Sequence, residues 1–193
     1  MKIIFATNNK NKVEEIKHLS HKNFQILTLQ EAGIDIDIPE PHDTLEANAT
    51  EKSSTIYTIT NEAVFSEDTG LEVDALGGAP GVKSARYAGE GRNMQDNIDK
   101  LLQELKDKPT RAAQFRTVVS LIIAGKEYQF QGICKGHITN EMAGTNGFGY
   151  DPVFIPEGSN TTFANMDIAE KNKFSHRKKA VQQLIDFLNE YQA

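Results

Sequence analysis

The sequence predicts a globular α/β protein, because strand-like and helical segments alternate along its 193 residues. Residues 2–6 form an apolar run suited to a buried strand, and after a polar turn Val13, Ile16 and Leu19 recur at helical spacing. A strand, a loop and a helix in that order open an α/β unit. The hydrophobic fraction of 38% and the charged fraction of 25% are ordinary for a folded domain.

The remaining elements follow from the same patterns. We expect strands at 25–29 and 63–66, a loop at 35–43, helices at about 44–59 and 93–106, a hairpin of strands at 112–124 and 127–139, and a last helix from Ser175. The inward stripe of the second helix is Leu45, Ala49, Lys52, Ile56 and Ile59, and that of the third includes Met94 and Ile98. No linker or repeat divides the chain, so we expect a single domain over residues 1–193.

Composition excludes several classes of protein. No apolar run approaches the roughly 20 residues of a membrane span, and a net charge of −6 disfavours nonspecific nucleic-acid binding. Cys134 is the sole cysteine, which excludes an intrachain disulfide and a cysteine-built zinc site. We therefore expect a cytoplasmic protein with no nucleic-acid or membrane partner. The histidines lack metal-ligand spacing, and only His176 lies among other candidate residues; the rest are His18, His21, His42 and His137.

An acidic turn is expected at Ser66–Gly70, where the short strand ends. The adjacent carboxylates of Glu67 and Asp68 are costly to bury unless something neutralises them. Magnesium fits, because it prefers one or two carboxylates together with substrate phosphates and water. An ordinary acidic turn is the alternative. An aspartic-protease dyad would need a second copy of Asp-Thr-Gly from a symmetric dimer.

Basic and glycine-rich segments supply the other half of a possible polyphosphate site. Thr7–Lys12 lies between a predicted strand and the N-terminus of the following helix, a position that favours binding of anions. Lys171 and the first turn of the last helix place further cations, Glu40 could reach a metal, and Lys52 interrupts an apolar stripe. The loop 144–152 has three glycines that allow close backbone approach to a ligand. Each segment could also be plain scaffold: a capped helix, a solvated cluster or a turn.

The order of these segments resembles the inosine triphosphate pyrophosphatase (Ham1-like) family, also described as dITP/XTP pyrophosphatases. The resemblance covers nearly the whole chain. Its motifs are residues 4–12, 46–49 with Lys52, 67–73, 76–81, 84–89, 147–152 and 175–177.

This resemblance implies a two-lobed α/β fold with an elongated mixed β-sheet, flanking helices and an active site in the cleft between the lobes. It implies a homodimer that hydrolyses non-standard purine nucleoside triphosphates (ITP, dITP and XTP) to the monophosphate and pyrophosphate. The implied cofactor is Mg²⁺.

The resemblance also implies roles for individual residues. Asp68 resembles the general base and a magnesium ligand, with Glu40 as a second ligand. Substrate contacts are implied for Thr7, Asn8, Asn9, Lys10, Asn11, Lys12, Lys52, Thr69, Phe148, Gly149, Tyr150, Asp151, Lys171, His176 and Arg177. Thr7–Lys12 and Lys52 would bind the triphosphate, and Phe148–Asp151 would bind the base. Lys171, His176 and Arg177 would contact both. Pro41, where the family often has Thr, makes Glu40 the less certain ligand.

Two other functions stay open on the sequence. One is a Maf-like nucleotide pyrophosphatase of similar architecture with another base preference. The other is a nucleotide-binding regulator without hydrolytic activity, for which Glu67 and Asp68 would be unnecessary.

Overall fold

The computed structural model describes residues 1–17 and 24–191, so the expectations for His18, Leu19 and His21 lie outside the described residues. The helices are α1 Lys10–Lys17, α2 Leu45–Thr60, α3 Met94–Glu104, α4 Ile168–Lys171 and α5 His176–Glu190. The strands are β1 Lys2–Phe5, β2 Gln25–Thr28, β3 Val64–Val73, β4 Pro80–Gly81, β5 Ala112–Ile123, β6 Lys126–Ile138 and β7 Phe154–Pro156. The predicted α/β alternation is confirmed.

The described strands form one mixed sheet in the order β2-β1-β3-β5-β6-β7, with β4 paired to β3. β1 runs parallel to β2 and to β3, whereas β3–β4 and β6–β7 are antiparallel. β5 and β6 are joined through Ala124 and Gly125, both with positive φ as a tight hairpin turn requires. The expected hairpin is therefore confirmed, with its turn one residue earlier than the sequence suggested.

The chain divides into two compact units. Unit 1 comprises residues 1–68, 117–132 and 177–193, and unit 2 comprises residues 69–116 and 133–176. In unit 1, Phe5 and Phe65 pack with residues of α1 and α5, whereas Ile4 and Val64 pack with residues of α2. Neighbouring residues of a strand point to opposite faces, so helices cover both faces of this part of the sheet.

Unit 2 has a separate core. It is built around Phe115, Phe154 and Phe163, whose rings lie 4.7–6.1 Å apart between centroids. Ile98 and Leu101 of α3 pack against this core, and so does Cys134, which is buried.

The acidic segment is not a turn, and this prediction was wrong. Residues 66–70 lie inside β3, which continues to Val73 and pairs with β4 through Leu71 and Glu72. Gly70 is needed for close strand approach, because a Cβ there would lie 2.6 Å from the carbonyl oxygen of Gly81. The turn-like composition of Asp-Thr-Gly is overridden by this strand pairing.

Two residues of the predicted inward stripes are exposed. Ile59 is 59% exposed in the last turn of α2, and Met94 is 42% exposed as the first residue of α3. Both lie at helix ends, where neighbouring elements no longer cover the stripe. Among the described helices, none combines the length and apolar character needed to cross a bilayer.

Candidate functional site

Asp68 lies buried in β3 of unit 1, and its carboxylate is held by side chains of α2. The ammonium of Lys52 donates to Asp68 Oδ1 at 2.9 Å and to Glu40 Oε1 at 2.6 Å. Asn48 Nδ2 donates to Asp68 Oδ2 at 3.4 Å. Lys52 therefore brings the carboxylates of Glu40 and Asp68 to one cation, and we call these four residues the Asp68 cluster.

Burial and charge change the proton affinities in this cluster. Burial raises the pKa of Asp68, with a further contribution from the charge of Glu40, and these effects outweigh the neighbouring lysines. For Lys52, burial lowers the pKa, but the charges of Asp68 and Glu40 raise it more, so it stays an ammonium. Burial opposes ionisation of Glu40, yet Lys52 holds the pKa of Glu40 below its ordinary value. The pKa of Asp68 is thus shifted towards the protonated form and that of Glu40 towards the ionised form.

Glu67 points to the opposite face of β3 from Asp68, because consecutive strand residues alternate. Its side chain is fully buried, and both carboxylate oxygens accept from Arg177 Nε at 2.8 and 2.9 Å. Lys12 Nζ lies 3.2 Å from Glu67 Oε1, and Arg177 also donates to Glu15. Burial alone would raise the pKa of Glu67, but Arg177 and Lys12 hold it below its ordinary value. Glu67 therefore anchors cations and does not form a carboxylate pair with Asp68.

In the segment before α1, some polar side chains are hydrogen-bonded to the backbone and others are exposed to solvent. Asn9 Oδ1 caps the helix by accepting from the backbone N–H of Asn11 and Lys12. Asn8 Nδ2 donates to the carbonyl of Ile36, and Thr7 Oγ1 accepts from the backbone N–H of Asn9. Lys10 and Asn11 are exposed. The backbone amides at this helix start keep the geometry that suits an anion.

In unit 2, Asp151 organises the glycine-rich loop. Its Oδ2 accepts from the backbone N–H of Phe148 at 2.9 Å and from Lys171 Nζ at 2.7 Å. The Lys171 ammonium lies 5.3 Å from the ring centroids of both Phe148 and Phe163. These contacts fix one aromatic ring, one buried cation and one carboxylate next to each other, and we call Phe148, Asp151 and Lys171 the loop cluster.

The other candidates of unit 2 have separate surroundings. Tyr150 is buried and its hydroxyl donates to the carbonyl of Ser84 at 2.8 Å. The ring of His176 is buried and stacks on Phe115, with centroids 4.7 Å apart. Gly149 has a positive φ of 61°, and Thr69 is half-buried in β3.

The family model described as the Ham1 family matches residues 3–187 of the chain. The chain belongs to the Ham1 family. A protein from Flavobacterium johnsoniae named dITP/XTP pyrophosphatase is 51% identical over 188 residues, which cover 97% of this chain and 98% of that protein. A protein of the same name from Porphyromonas gingivalis is 50% identical over 188 residues, covering 97% of each chain.

Solved structures agree with this membership. The Ham1 protein of Staphylococcus aureus matches with a TM-score of 0.90 and 36% identity over 100% of both chains. The Ham1 protein of Coxiella burnetii matches with a TM-score of 0.90 and 33% identity, over 99% of this chain and 100% of that one. The expected mixed sheet with flanking helices is thereby confirmed.

The structure of this Ham1 chain groups the candidate residues in two sets. Glu40, Lys52 and Asp68 meet within unit 1, and Phe148, Asp151 and Lys171 meet within unit 2. The guanidinium of Arg177 is buried within unit 1 against Glu67 and Glu15. The rigid Pro41 does not prevent Glu40 from reaching the Lys52 ammonium.

Asn48 and Glu15 are site residues that sequence reasoning did not identify. Asn48 is fully buried and joins Asp68 to the loop after Glu40, because it also exchanges hydrogen bonds with the backbone of His42. A polar residue four positions before Lys52 on the same helix face was a readable signal for Asn48. Glu15 carried no such signal, since its partner Arg177 is 162 residues away.

A methyl group at Gly147 is expected to break the loop cluster. A Cβ at Gly147 would lie 2.0 Å from Asp151 Oδ2, the atom that binds both Phe148 and Lys171, and φ there is 75°. Gly149 is a matched control, because its φ is 61° and no atom lies within 4 Å of its Cβ position. Gly149→Ala should cost about 1–2 kcal/mol from backbone strain alone. Gly147→Ala should lower the free energy of unfolding in urea by more than Gly149→Ala does. Equal losses in the two variants would contradict the predicted clash with Asp151.

Proposed function

We propose that this chain is a nucleoside-triphosphate pyrophosphatase that hydrolyses the non-standard purine nucleotides ITP, dITP and XTP to the monophosphate and pyrophosphate. Membership of the Ham1 family and relatives named dITP/XTP pyrophosphatase at about half identity over nearly their full length support this activity. The observation that carries the proposal is the Asp68 cluster, in which a buried carboxylate of raised pKa shares an ammonium with a second carboxylate.

The donor set of the Asp68 cluster fits a hard divalent cation. Among the described residues no group of three or more His, Cys, Asp or Glu is arranged to hold a metal. Two converging carboxylates, however, are the number that magnesium accepts from protein when substrate phosphates and water complete its shell. Asp68 and Glu40 would hold Mg²⁺. When bound, the ion supplies charge neutralisation at the phosphate oxygens.

Asp68 acts on the attacking water. Its raised pKa makes it a better proton acceptor than an exposed aspartate, and Asn48 and Lys52 fix one oxygen each. The water is directed at the α-phosphorus, so the bond to the β-phosphate oxygen breaks and pyrophosphate leaves. Lys52 binds and neutralises the triphosphate. Thr7, Asn8, Asn9, Lys10, Asn11 and Lys12 add the donors of the α1 start.

Recognition of the base is assigned to unit 2. Phe148 offers a ring face whose loop is fixed by Asp151, and Lys171 places a cation beside it. Gly149 allows close backbone approach, Tyr150 is held by its hydrogen bond to the carbonyl of Ser84, and His176 is held by stacking on Phe115. Thr69 contacts the substrate. A hydrogen-bond donor of the protein that faces the 6-oxo group of a purine favours hypoxanthine and xanthine. The 6-amino group of adenine would leave that donor without an acceptor. Arg177 contributes by holding Glu67 and Lys12 in place.

A product assay tests the proposal. Purified protein with Mg²⁺ is incubated with ITP, dITP, XTP, ATP and GTP, and pyrophosphate and orthophosphate are measured separately. We expect pyrophosphate from the first three and little from ATP, whose base has an amino group at position 6. GTP shares the 6-oxo group, so its turnover measures how far that contact alone selects the base. Orthophosphate as the product would indicate a phosphatase, and pyrophosphate mainly from other nucleotides would indicate a Maf-like preference. No product with any nucleotide would indicate a binding regulator.

The same proposal includes a single domain over residues 1–193, a homodimer and a cytoplasmic location. They are supported by the family resemblance and, for the compartment, by a sequence whose sole cysteine excludes an intrachain disulfide. Light scattering coupled to gel filtration tests the homodimer, because the 21.4 kDa chain should elute with twice that mass.

A further inference from the structure

The buried face of α2 carries polar side chains beside apolar ones. Asn48, Lys52 and Ser53 are buried together with Leu45, Ala49 and Ile56, whereas a helix packed on a sheet ordinarily buries an apolar stripe. The segment that carries Lys52 is therefore attached to the sheet by hydrogen bonds as well as by apolar packing.

These hydrogen bonds converge on Glu127, at the start of β6. Its Oε1 accepts from Thr50 Oγ1 at 2.6 Å, from Ser120 Oγ at 2.7 Å and from Gln129 Nε2 at 3.2 Å. Ser53 Oγ lies 2.7 Å from Ser120 Oγ, and Gln129 Nε2 also donates to Thr50 Oγ1 at 2.9 Å. We call Thr50, Ser53, Ser120, Glu127 and Gln129 the Glu127 seam.

The direction of each bond in the seam is determined by chemistry. A carboxylate only accepts, so Thr50 and Ser120 each donate their single hydroxyl proton to Glu127. Because the Ser120 proton is already used, Ser53 is the donor in its bond with Ser120. Glu127 is exposed, and the partial desolvation that would raise its pKa is outweighed by the hydrogen bonds from Thr50, Ser120 and Gln129, which hold the pKa below its ordinary value. The acceptor is thus charged, and hydrogen bonds to a charged acceptor are stronger than neutral ones.

The seam constrains how α2 can move. Thr50 and Ser53 lie on either side of Lys52 in sequence, and both are bonded to the hairpin of β5 and β6. Directional bonds on both sides oppose sliding along the helix axis and rotation about it, which apolar contacts alone tolerate better. Lys52 Nζ needs that restraint, because it must lie within 2.9 Å of two carboxylate oxygens at once.

We propose that the Glu127 seam is a positioning device that sets the register of α2 and thereby holds the Lys52 ammonium between Glu40 and Asp68. Thr50 and Glu127 are positioning residues, since they act through Lys52. The effect on catalysis rests on the role proposed above for Lys52, but the effect on the position of Lys52 does not.

Two threonines of α2 give a matched test. The Oγ1 atoms of Thr50 and Thr58 both lie near the carbonyl oxygen four residues earlier, at 3.1 and 2.8 Å. The closer acceptor of the Thr50 proton is Glu127 in the seam, at 2.6 Å, whereas Thr58 is exposed and outside the seam. Thr50→Val removes the hydroxyl and keeps the shape, Thr58→Val is the control, and Thr50→Ser restores the hydroxyl. Measurements are kcat and KM with ITP, urea unfolding, and the ¹⁵N ammonium signal of Lys52, identified by its loss in Lys52→Met.

We expect Thr50→Val to lower kcat by about 3- to 100-fold, the upper value being the cost of a displacement of about 1 Å. The Lys52 signal should shift or exchange faster with solvent in the same variant, Thr50→Ser should recover both readouts, and Thr58→Val should change neither. An unshifted Lys52 signal in Thr50→Val overturns the inference, whether or not kcat falls. If Thr50→Val does not fold, Ser120→Ala is measured instead with the same expectations.

Failure of the proposed function is a separate result. A wild-type protein that releases no pyrophosphate from any nucleotide contradicts the activity, while the Lys52 signal still decides the seam. A shifted Lys52 signal with unchanged kcat in an active protein overturns the part of the inference that links the seam to catalysis.

Discussion

Asp68→Asn is expected to lower kcat for pyrophosphate release from ITP by at least about 100-fold, the usual contribution of a general base. The amide has the volume of the carboxylate but cannot accept a proton at neutral pH, and it removes one of the two carboxylates that would hold Mg²⁺. Lys52 keeps its bond to Glu40, so the fold around the cluster should persist. Steady-state kinetics with ITP and Mg²⁺ give the measurement.

Asp74→Asn is the matched control for this loss. Asp74 directly follows β3, the strand that carries Asp68, and its side chain is exposed. It should retain kcat within about twofold, since exposed substitutions away from special features have small effects. Near-normal turnover in Asp68→Asn would falsify the assignment of the base.

Arg177→Met is expected to destabilise the protein by about 3–5 kcal/mol, the usual cost of breaking a buried ion pair. The guanidinium is 2% exposed and Glu67 is fully buried, so the substitution leaves a buried carboxylate with Lys12 as its nearest remaining cation. Methionine keeps most of the apolar contact of the arginine chain. The free energy of unfolding in urea gives the measurement at neutral pH, where Glu67 is ionised.

A double-mutant cycle shows whether the loss comes from the pair. Glu67→Gln combined with Arg177→Met should cost less than the sum of the single substitutions, because each removes the partner of the other. Arg116→Met is the control, since Arg116 Nε lies 2.9 Å from Glu72 Oε1 with both side chains at least 20% exposed. It should cost only about 0.2–1 kcal/mol. If the free-energy losses of the two single substitutions add up to that of the double variant, Glu67 is not the partner that stabilises Arg177.

Much of the frame could be predicted from the sequence. The strand at 2–6, the stripe of Leu45, Ala49 and Ile56, and the hairpin at 112–138 come from local periodicity, which reports burial directly. The expected start of the second helix near residue 44 is confirmed, because the Thr44 side chain accepts from the backbone N–H of Ala47. Predictions failed at element ends, as with Ile59 and Met94, because local patterns do not show where covering neighbours stop.

The acidic segment shows why the site was harder to predict than the frame. Asp-Thr-Gly has the composition of a turn, and only its place within β3, between β1 and β5 in the sheet, makes it part of a strand. That difference decides chemistry, since adjacent residues share one side in a turn but alternate in a strand. Glu67 and Asp68 were therefore expected to form one acidic pair, and they face different partners.

The sequence by itself determined that the chain is α/β, that Glu67 and Asp68 lie in a buried acidic segment, and that cationic and glycine-rich segments accompany it. Those properties depend on composition and spacing along the chain. Only the tertiary structure decided that Asp68 meets Glu40, Asn48 and Lys52, while Glu67 holds Arg177 from 110 residues away. The physical reason is the strand pairing of β3, because it assigns each carboxylate to one face and thereby to the helices that cover that face.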